Sequence, residues 1–381
     1  METKIEIQLD RNALTPILSQ VANIIGRSDK EIMQHIHCSV KDGNSISFTA
    51  VNESMQMVAT MALSNPTTDC AFTLPAKRFL DMARMGQNDE IKLIVDGNTV
   101  KVRCGRNNST LASLDEKTYP VLPFEESETK MVLSAQVLLD AIQSTDFSMA
   151  KNDARYFLNG VKMEFNNEEK SLKTIATDGH RLAYRSIKVE KEFESLDIIL
   201  PSTAISKLKS LLKAEKGDVE LTISRGGNNI HFKFTDYSLY SKLVDGRFPD
   251  YRRVIPRVTN MEFLVEREEF KNMLQRIKVF SAQEFAAANF VFNGNELTVK
   301  SVNRQSADSS EETMTVELKT ENSDGSIEIG LNLSYVLDIA THLTGDKLLF
   351  KIMDRTSPVM MIPESQEKSE DTKYIVMPMR I

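Results

Sequence analysis

Polar and apolar residues alternate in short runs along much of the chain, and several runs lead into a stretch with the apolar spacing of a helix. The pattern opens three parts of the sequence: residues 4–14, 130–138 and 261–270. Alternation with a period of two predicts half-buried strands, and apolar residues three and four apart predict helices. Each strand ends in a residue that favours a helix start, namely Asp10, Ser134 or Glu266. The sequence therefore predicts three related strand–helix units.

A second strand–helix pattern follows later in each part, in residues 72–80, 199–205 and 329–336. We expect Pro75 and Pro201 in the first turn of their helices, where a proline has no backbone hydrogen bond to lose. The recurrence of two helices and many short strands in the same order indicates an internal repeat.

A hairpin-like stretch closes each part, and Asp96-Gly97 and Gly226-Gly227 predict tight turns. Together the repeats predict an α+β fold of three modules of roughly 125 residues each, with two helices packed on antiparallel sheets. We expect the modules to span 1–128, 129–258 and 259–381. A strand at the end of one module invites pairing with its neighbour. Two copies of such a chain can close through a two-fold axis into a ring of six modules.

Charge is unevenly distributed along the chain. The 381 residues carry a formal net charge of −7, which disfavours a protein whose whole surface binds nucleic acid. Three predicted helical stretches are nevertheless net basic, in residues 74–85, 202–216 and 267–279. Helices that line one positive channel attract phosphates without reading base edges. The alternative is that these lysines and arginines form ordinary solvated helix faces.

Candidate catalytic chemistry is limited to the segment from Thr174 to Arg185, which predicts two strands joined by a turn at Asp178-Gly179. Asp178 and His180 can act as an acid–base pair, so a hydrolase is one hypothesis. On a hairpin such residues more often fix the turn. The sequence lacks the glycine-rich phosphate-binding and nucleophile motifs of common enzyme families.

Metal or disulfide chemistry is not predicted. The three cysteines, Cys38, Cys70 and Cys104, have no C-x-x-C spacing, and three is an odd number. His35 and His37 share one face of a predicted strand while Cys38 points to the other, which suits ordinary strand residues better than a zinc site. Reduced thiols and an N-terminus without a signal-peptide pattern predict a cytoplasmic protein. No cofactor is expected either.

Four segments resemble, in order, those of the bacterial DNA polymerase III β subunit family, the sliding clamps. They are residues 176–183 (ATDGHRLA), 243–254 (LVDGRFPDYRRV), 329–338 (IGLNLSYVLD) and 374–381 (YIVMPMRI). The resemblance implies the DNA clamp fold, closed as a head-to-tail homodimer around double-stranded DNA. It also implies a non-catalytic processivity factor that binds a DNA polymerase catalytic subunit, a clamp loader, and other replication and repair proteins through short peptides with apolar and Gln residues.

The resemblance also implies three sets of site residues. For the partner-peptide groove, the matching positions are Arg155, Leu158, Thr177, Gly179, His180, Arg181, Leu182, Pro249, Arg253, Val254, Asn332, Tyr335, Ile375, Val376, Met377, Pro378, Met379 and Arg380. The candidates for contact with DNA, taken from this resemblance and from the basic helices, are Arg27, Lys77, Arg78, Lys151, Asn152, Tyr156, Lys207, Lys209 and Lys213. The dimer seam is expected at Leu111, Val279 and Phe280.

Two alternatives to the clamp remain open at this point. A hydrolase built on Asp178 and His180 predicts loss of turnover when His180 is replaced. A repeat scaffold that binds only proteins predicts no retention on circular DNA.

Overall fold

A computed structural model of the chain describes residues 4–189, 195–224, 226–281, 286–302, 308–320, 325–367 and 370–380. The chain folds into two compact units, each built from two separate segments. Unit 1 contains residues 1–135 and 210–243, and unit 2 contains residues 136–209 and 244–381. The middle part of the sequence therefore contributes to both units. The module boundaries at residues 128 and 258 come from the repeat in the sequence, which the division into two units does not test, so these boundaries remain a prediction.

Six helices occur in the described residues: α1 (Arg11–Ala22), α2 (Ala76–Met85), α3 (Ala135–Gln143), α4 (Ser202–Leu212), α5 (Arg267–Lys278) and α6 (Leu333–His342). Each begins directly after a strand, as the sequence predicts. The Asp10 carboxylate caps α1 by accepting from the backbone N–H of Asn12 at 2.7 Å. Pro75 and Pro201 lie one position earlier than expected, because each is the last strand residue before its helix.

The strands of unit 1 are β1 (Ile5–Asp10), β2 (His35–Lys41), β3 (Ser45–Val51), β4 (Met55–Ala62), β5 (Cys70–Pro75), β6 (Glu90–Asp96), β7 (Thr99–Cys104), β8 (Asn107–Ala112), β9 (Glu126–Ser134), β14 (Asp218–Ser224), β15 (Asn229–Lys233) and β16 (Tyr237–Lys242). One sheet has the order β1-β6-β7-β8, and the other has the order β5-β2-β3-β4-β16-β15-β14-β9. In the second sheet, β4 pairs with β16 in the register Leu239↔Met57. Strands of the first and middle modules thus form one continuous sheet, as the pairing of module edges predicts.

The strands of unit 2 are β10 (Gly160–Asn166), β11 (Ser171–Thr177), β12 (Arg181–Lys188), β13 (Leu196–Pro201), β17 (Met261–Glu266), β18 (Ala287–Asn293), β19 (Glu296–Val302), β20 (Ser309–Thr315), β21 (Glu317–Leu318), β22 (Ser326–Asn332), β23 (Lys347–Ile352), β24 (Val359–Pro363) and β25 (Glu370–Val376). The larger sheet has the order β13-β10-β11-β12-β25-β24-β23-β17-β21, and the smaller has the order β20-β19-β18-β22. The last strand, β25, pairs antiparallel with β12. This pairing places the C-terminal residues beside the hairpin that contains Asp178.

Two clusters of buried residues in unit 2 surround the candidate site. Phenylalanines and aliphatic residues of α5, α6 and the surrounding strands form a large cluster that includes Phe263, Phe290 and Phe350. A smaller cluster contains Leu158, Leu182, Tyr251 and Ile375. The smaller cluster is partly open at its surface, and the candidate site lies there.

Candidate functional site

The turn between β11 and β12 has the geometry that its sequence predicts. Gly179 has φ of 91°, which a residue with a side chain rarely adopts. The Asp178 carboxylate accepts hydrogen bonds from the backbone N–H groups of His180 at 2.9 Å and Arg181 at 3.0 Å. It also accepts from the guanidinium of Arg181 at 3.0 Å. A carboxylate with three such donors fixes the turn, so the geometry does not favour Asp178 as a general base.

Arg181 holds this turn against helix α6. Its guanidinium donates to the Asp338 carboxylate at 2.6 Å and to the carbonyl oxygen of Phe147 at 2.7 Å. It also lies 4.4 Å from the centroid of the Tyr335 ring. Burial and the nearby Asp178 charge raise the pKa of Tyr335. The charge of Arg181 is therefore fully engaged within the protein, because three separate acceptors and the Tyr335 ring surround the planar guanidinium.

A cavity of about 280 Å³ opens beside the turn. Its walls come from the 155–158 segment, the hairpin, the 249–254 segment and the C-terminal strand, and it is lined by Arg155, Phe157, Leu158, Thr177, Gly179, Arg181, Leu182, Pro249, Asp250, Tyr251, Val254, Ile375 and Met377. Most of these positions are in the groove predicted from the sequence. Phe157, Asp250 and Tyr251 were missed, although Phe157 and Asp250 are next to the predicted residues Leu158 and Pro249, and Tyr251 lies within the FPDYRRV segment.

The other eight predicted groove residues do not line this cavity. They are His180, Arg253, Asn332, Tyr335, Val376, Pro378, Met379 and Arg380. The Asn332 side chain accepts from the backbone N–H groups of Ser334 and Tyr335, so it caps α6.

The C-terminal tail is fixed by its backbone. The N–H of Met377 donates to the carbonyl oxygen of His180 at 2.9 Å, and the N–H of Met379 donates to that of Gly330 at 2.8 Å. The tail is therefore part of the wall around the cavity.

Charges at the rim of the cavity are paired within the protein. The guanidinium of Arg155 binds both carboxylate oxygens of Asp153, at 3.0 and 2.8 Å, and these hydrogen bonds lower the pKa of Asp153 to about 2. Arg253 donates to Asp250 at 3.0 Å. Because the rim cations have partners and the floor is formed by aliphatic residues, the cavity suits an apolar side chain better than a charged one.

Several predicted DNA-contacting residues are exposed at helix starts and loops. Arg27, Lys77 and Arg78 are exposed in unit 1, and Arg27 and Lys77 line a second cavity of about 620 Å³. Lys151 and Asn152 are exposed in unit 2, and Tyr156 is 58% exposed. The structure thus brings Arg27 and Lys77 together, although they are far apart in the sequence.

The three lysines predicted on or after α4 differ from one another. Lys207 is only 7% exposed, because its helical spacing (i−3 and i+4) places it on the same face as the buried residues Ala204 and Leu211. Lys209 forms an ion pair with Asp146. Lys213 is exposed. The burial of Lys207 is a correction to the sequence-based interpretation, since a buried amine cannot reach a phosphate without leaving its place.

The predicted seam residues lie at surface edges. Leu111 is on β8, an edge strand of its sheet, where its own side chain is buried. Val279 and Phe280 follow α5 and are 78% and 47% exposed. Exposed large apolar residues at a helix end are typical of a surface that another chain covers.

Neither a metal centre nor a membrane segment is found in the described part of the chain. Within those residues, no three or more His, Cys, Asp and Glu side chains are grouped so as to hold a metal ion. His35 instead makes a buried contact of 3.1 Å with the Thr73 hydroxyl. No described helix combines the length and the apolar character needed to cross a bilayer.

Solved structures share this architecture over the whole chain. A Pseudomonas aeruginosa sliding clamp (DNA polymerase III subunit beta) bound to griselimycin superimposes with a TM-score of 0.91 at 26% identity, covering 100% of both chains. Another P. aeruginosa sliding clamp with a ligand gives 0.92 at 27% identity, covering 99% of this chain and 100% of that one. The fold is therefore the three-domain DNA clamp.

Sequence comparison identifies the family. Models of the N-terminal, central and C-terminal domains of the DNA polymerase III beta subunit match residues 5–123, 132–250 and 252–380. The beta sliding clamp of Escherichia coli K12 is 34% identical over 375 residues, which are 98% of this chain and 99% of that protein. That of Haemophilus influenzae is 32% identical over 382 residues, covering 99% and 100%. The chain belongs to the DNA polymerase III beta subunit family, and its function is that of a DNA polymerase processivity clamp.

Proposed function

We propose that two copies of this chain assemble head to tail into a closed ring around duplex DNA, in the bacterial cytoplasm. Each copy contributes three modules, residues 1–128, 129–258 and 259–381. The ring is non-catalytic and needs no metal or cofactor. A clamp loader opens it, and the cavity beside the 178–182 hairpin binds short peptides of the polymerase catalytic subunit and of other replication and repair proteins. Tethering of this kind makes weak peptide contacts sufficient, because rebinding occurs at high effective concentration.

The observation that carries the proposal is the apolar cavity enclosed by the hairpin, the 249–254 segment and the C-terminal tail. Its floor is formed by Leu158, Leu182 and Ile375, and its rim charges already have partners. An apolar peptide side chain therefore enters without leaving a charge unpaired. Methionine at position 377 gives the wall a pliable surface, which suits several different peptides.

Two free sheet edges support the proposed seam between copies. Strand β8 ends one sheet of unit 1, and β20 ends one sheet of unit 2. Lys101 and Arg103 are on β7 next to β8, and Arg106 is in the turn between these strands, whereas Glu311 and Glu312 are on β20. Pairing the β8 edge of one copy with the β20 edge of the other removes two exposed edges and joins opposite charges. Met85, which is 74% exposed at the end of α2, is a further candidate for the apolar part of this seam.

Retention on DNA tests the ring. The protein is loaded on nicked circular duplex by a clamp loader, and the circle is then cut once. A topological link predicts that the protein stays on circles at moderate salt and leaves once ends exist. Equal retention on circles and linear DNA would show ordinary binding, and no retention on either would favour a scaffold that binds only proteins.

The peptide pocket is tested separately by the variant Val254→Asp, with Val258→Asp as the matched control. Val254 lines the cavity, whereas Val258 is exposed and does not line it. A charge in the cavity is expected to weaken binding of a labelled apolar peptide by about tenfold or more, since the carboxylate is desolvated without a partner. Unchanged affinity in Val254→Asp would place the peptide site elsewhere.

A further inference from the structure

A buried carboxylate lies behind the wall of the peptide pocket. Glu164, on β10, is 5% exposed and accepts three charged or polar donors. The Tyr251 hydroxyl donates to it at 2.9 Å, the guanidinium of Arg252 at 3.1 Å, and the ammonium of Lys162 lies at 2.8 Å. Glu164 itself does not line the cavity.

Two of these donors belong to the segment that forms one wall of the pocket. Residues 249–254 contribute Pro249, Asp250, Tyr251 and Val254 to the cavity lining. Within the segment, short bonds close a single turn, such as that from the Val254 N–H to the Tyr251 carbonyl oxygen. Among the described residues, the hydrogen bonds that leave 249–254 all end on the Glu164 carboxylate.

The other contacts of this wall are apolar and less directional. The Tyr251 ring packs against Tyr184, with centroids 5.8 Å apart, and belongs to the cluster of Leu158, Leu182 and Ile375. Apolar packing buries the ring, but a hydrogen bond to a fixed acceptor determines its angle and depth. Burial, and next the charge of Glu164, raise the pKa of Tyr251, so the hydroxyl keeps its proton and remains a donor.

We propose that Glu164 is a positioning residue for peptide binding: through the Tyr251 hydroxyl and Arg252 it fixes the 249–254 wall at the distance from the hairpin that an apolar peptide side chain requires. The inference rests on the proposed peptide function of this cavity. It assigns a role in peptide binding to a residue that does not itself line the cavity.

The central variant is Tyr251→Phe, because it keeps the ring that lines the pocket and removes only the bond to Glu164. We expect the affinity for a labelled short peptide of glutamine, leucine and phenylalanine to fall by about three- to tenfold. Glu164→Leu is expected to weaken binding at least as much. Glu164→Gln retains an acceptor for the hydroxyl and is expected to restore most of the affinity. Binding is measured by fluorescence anisotropy on the full-length dimer.

Lys162→Met is the matched control. Lys162 binds the same carboxylate from the same strand and also reaches Asp197 at 3.2 Å, and within the described residues neither of these ion pairs involves the 249–254 wall. If Glu164 served only general stability, Lys162→Met and Tyr251→Phe would lower the thermal midpoint without a change in peptide affinity, and the inference would be wrong. A positioning role predicts that affinity falls in Tyr251→Phe and stays within about twofold of the parent in Lys162→Met.

The two proposals fail in different ways. If the unmodified protein binds no such peptide, the proposed function of the cavity is overturned, and the role of Glu164 with it. If the unmodified protein binds but Tyr251→Phe binds equally well, the pocket stands and the inference about Glu164 is overturned. Tyr251→Phe decides the outcome even if Glu164→Leu does not fold.

Discussion

At the scale of single residues, burial and partners decide what a charged side chain does. Arg181 and Arg253 are both in segments that resemble the clamp family, yet Arg181 is buried among two carboxylates and a carbonyl oxygen. Arg253 is 83% exposed at its side chain and pairs only with Asp250. The same residue type therefore stabilises the turn of the site at position 181, whereas at position 253 it lies exposed at the rim in a single ion pair.

Replacement of Arg181 by Lys tests this difference. A lysine cannot reproduce the three directed hydrogen bonds of the guanidinium or its contact with the Tyr335 ring, so Asp178 and Asp338 lose their shared partner. We expect the folded state to lose about 2–4 kcal/mol, measured as a lower thermal midpoint. Arg253→Lys, an exposed pair, is expected to change stability by less than about 0.5 kcal/mol. Equal midpoints for the two variants would contradict the structural role of Arg181.

Lys207 gives a prediction with a defined pH dependence. Burial lowers the pKa of Lys207 from 10.5 to about 8. Between these values the unfolded chain holds a proton that the folded chain has released, so stability rises with pH through this window. Lys207→Met removes the titrating group, so it is expected to flatten this rise in stability between about pH 8 and 10.5.

The control for Lys207→Met is Lys213→Met on the exposed surface. It is expected to leave the pH dependence of unfolding unchanged. Thermal unfolding of both variants between neutral and alkaline pH measures the effect, and an unchanged rise of stability with pH in Lys207→Met would contradict the titration of Lys207 in this window.

At the scale of elements, the strand edges distinguish this fold from three independent domains. The pairs β4–β16 and β12–β25 join strands from different parts of the sequence into continuous sheets. The edges at β8 and β20 have no strand partner within the described residues of one chain. These two edges are therefore the ones that we propose a second copy pairs with, since pairing satisfies their exposed backbone groups.

Phe280→Asp tests the seam at the end of α5. Because Phe280 is half exposed in the single chain, a charge there has little effect on the fold, but it is desolvated if a partner covers it. We expect the dimer to dissociate into monomers in size-exclusion chromatography with light scattering, and retention on circular DNA to be lost. Met353→Asp, at an exposed methionine outside the proposed seam, is expected to remain dimeric. A dimeric Phe280→Asp would exclude this seam.

At the scale of the whole molecule, the net charge is negative, but basic residues are exposed at predicted DNA-contacting positions. The chain carries −7 overall, yet the exposed residues Arg27, Lys77 and Lys213 are basic. A negative protein with a local positive surface attracts a duplex weakly and without sequence preference, which permits sliding.

The double variant Lys77→Ala, Arg78→Ala tests that surface. Each lost phosphate contact reduces the slope of log affinity against log salt by about 0.9, so two contacts reduce it by about 1.8. The slope is measured by anisotropy of a labelled duplex over a salt series. Lys242→Ala, an exposed lysine at the end of β16, is expected to leave it unchanged. A double variant with the parent slope would remove these residues from the DNA surface.

The sequence by itself determined the elements and their order. Alternation and helix-start residues predicted the strand–helix units, and Asp178-Gly179 predicted its turn, because these features depend on neighbours within a few residues. The four matching segments identified the family and most of the pocket lining for the same reason, since each is a short contiguous motif.

Only the tertiary structure decided which of these residues act together. The folded chain buries Lys207, pairs Arg181 with Asp338 and bonds Tyr251 to Glu164. These arrangements join positions that are distant in the chain, or they depend on how a helix packs. No local pattern contains that information, because a charged residue looks the same in the sequence whether it faces solvent or a buried carboxylate.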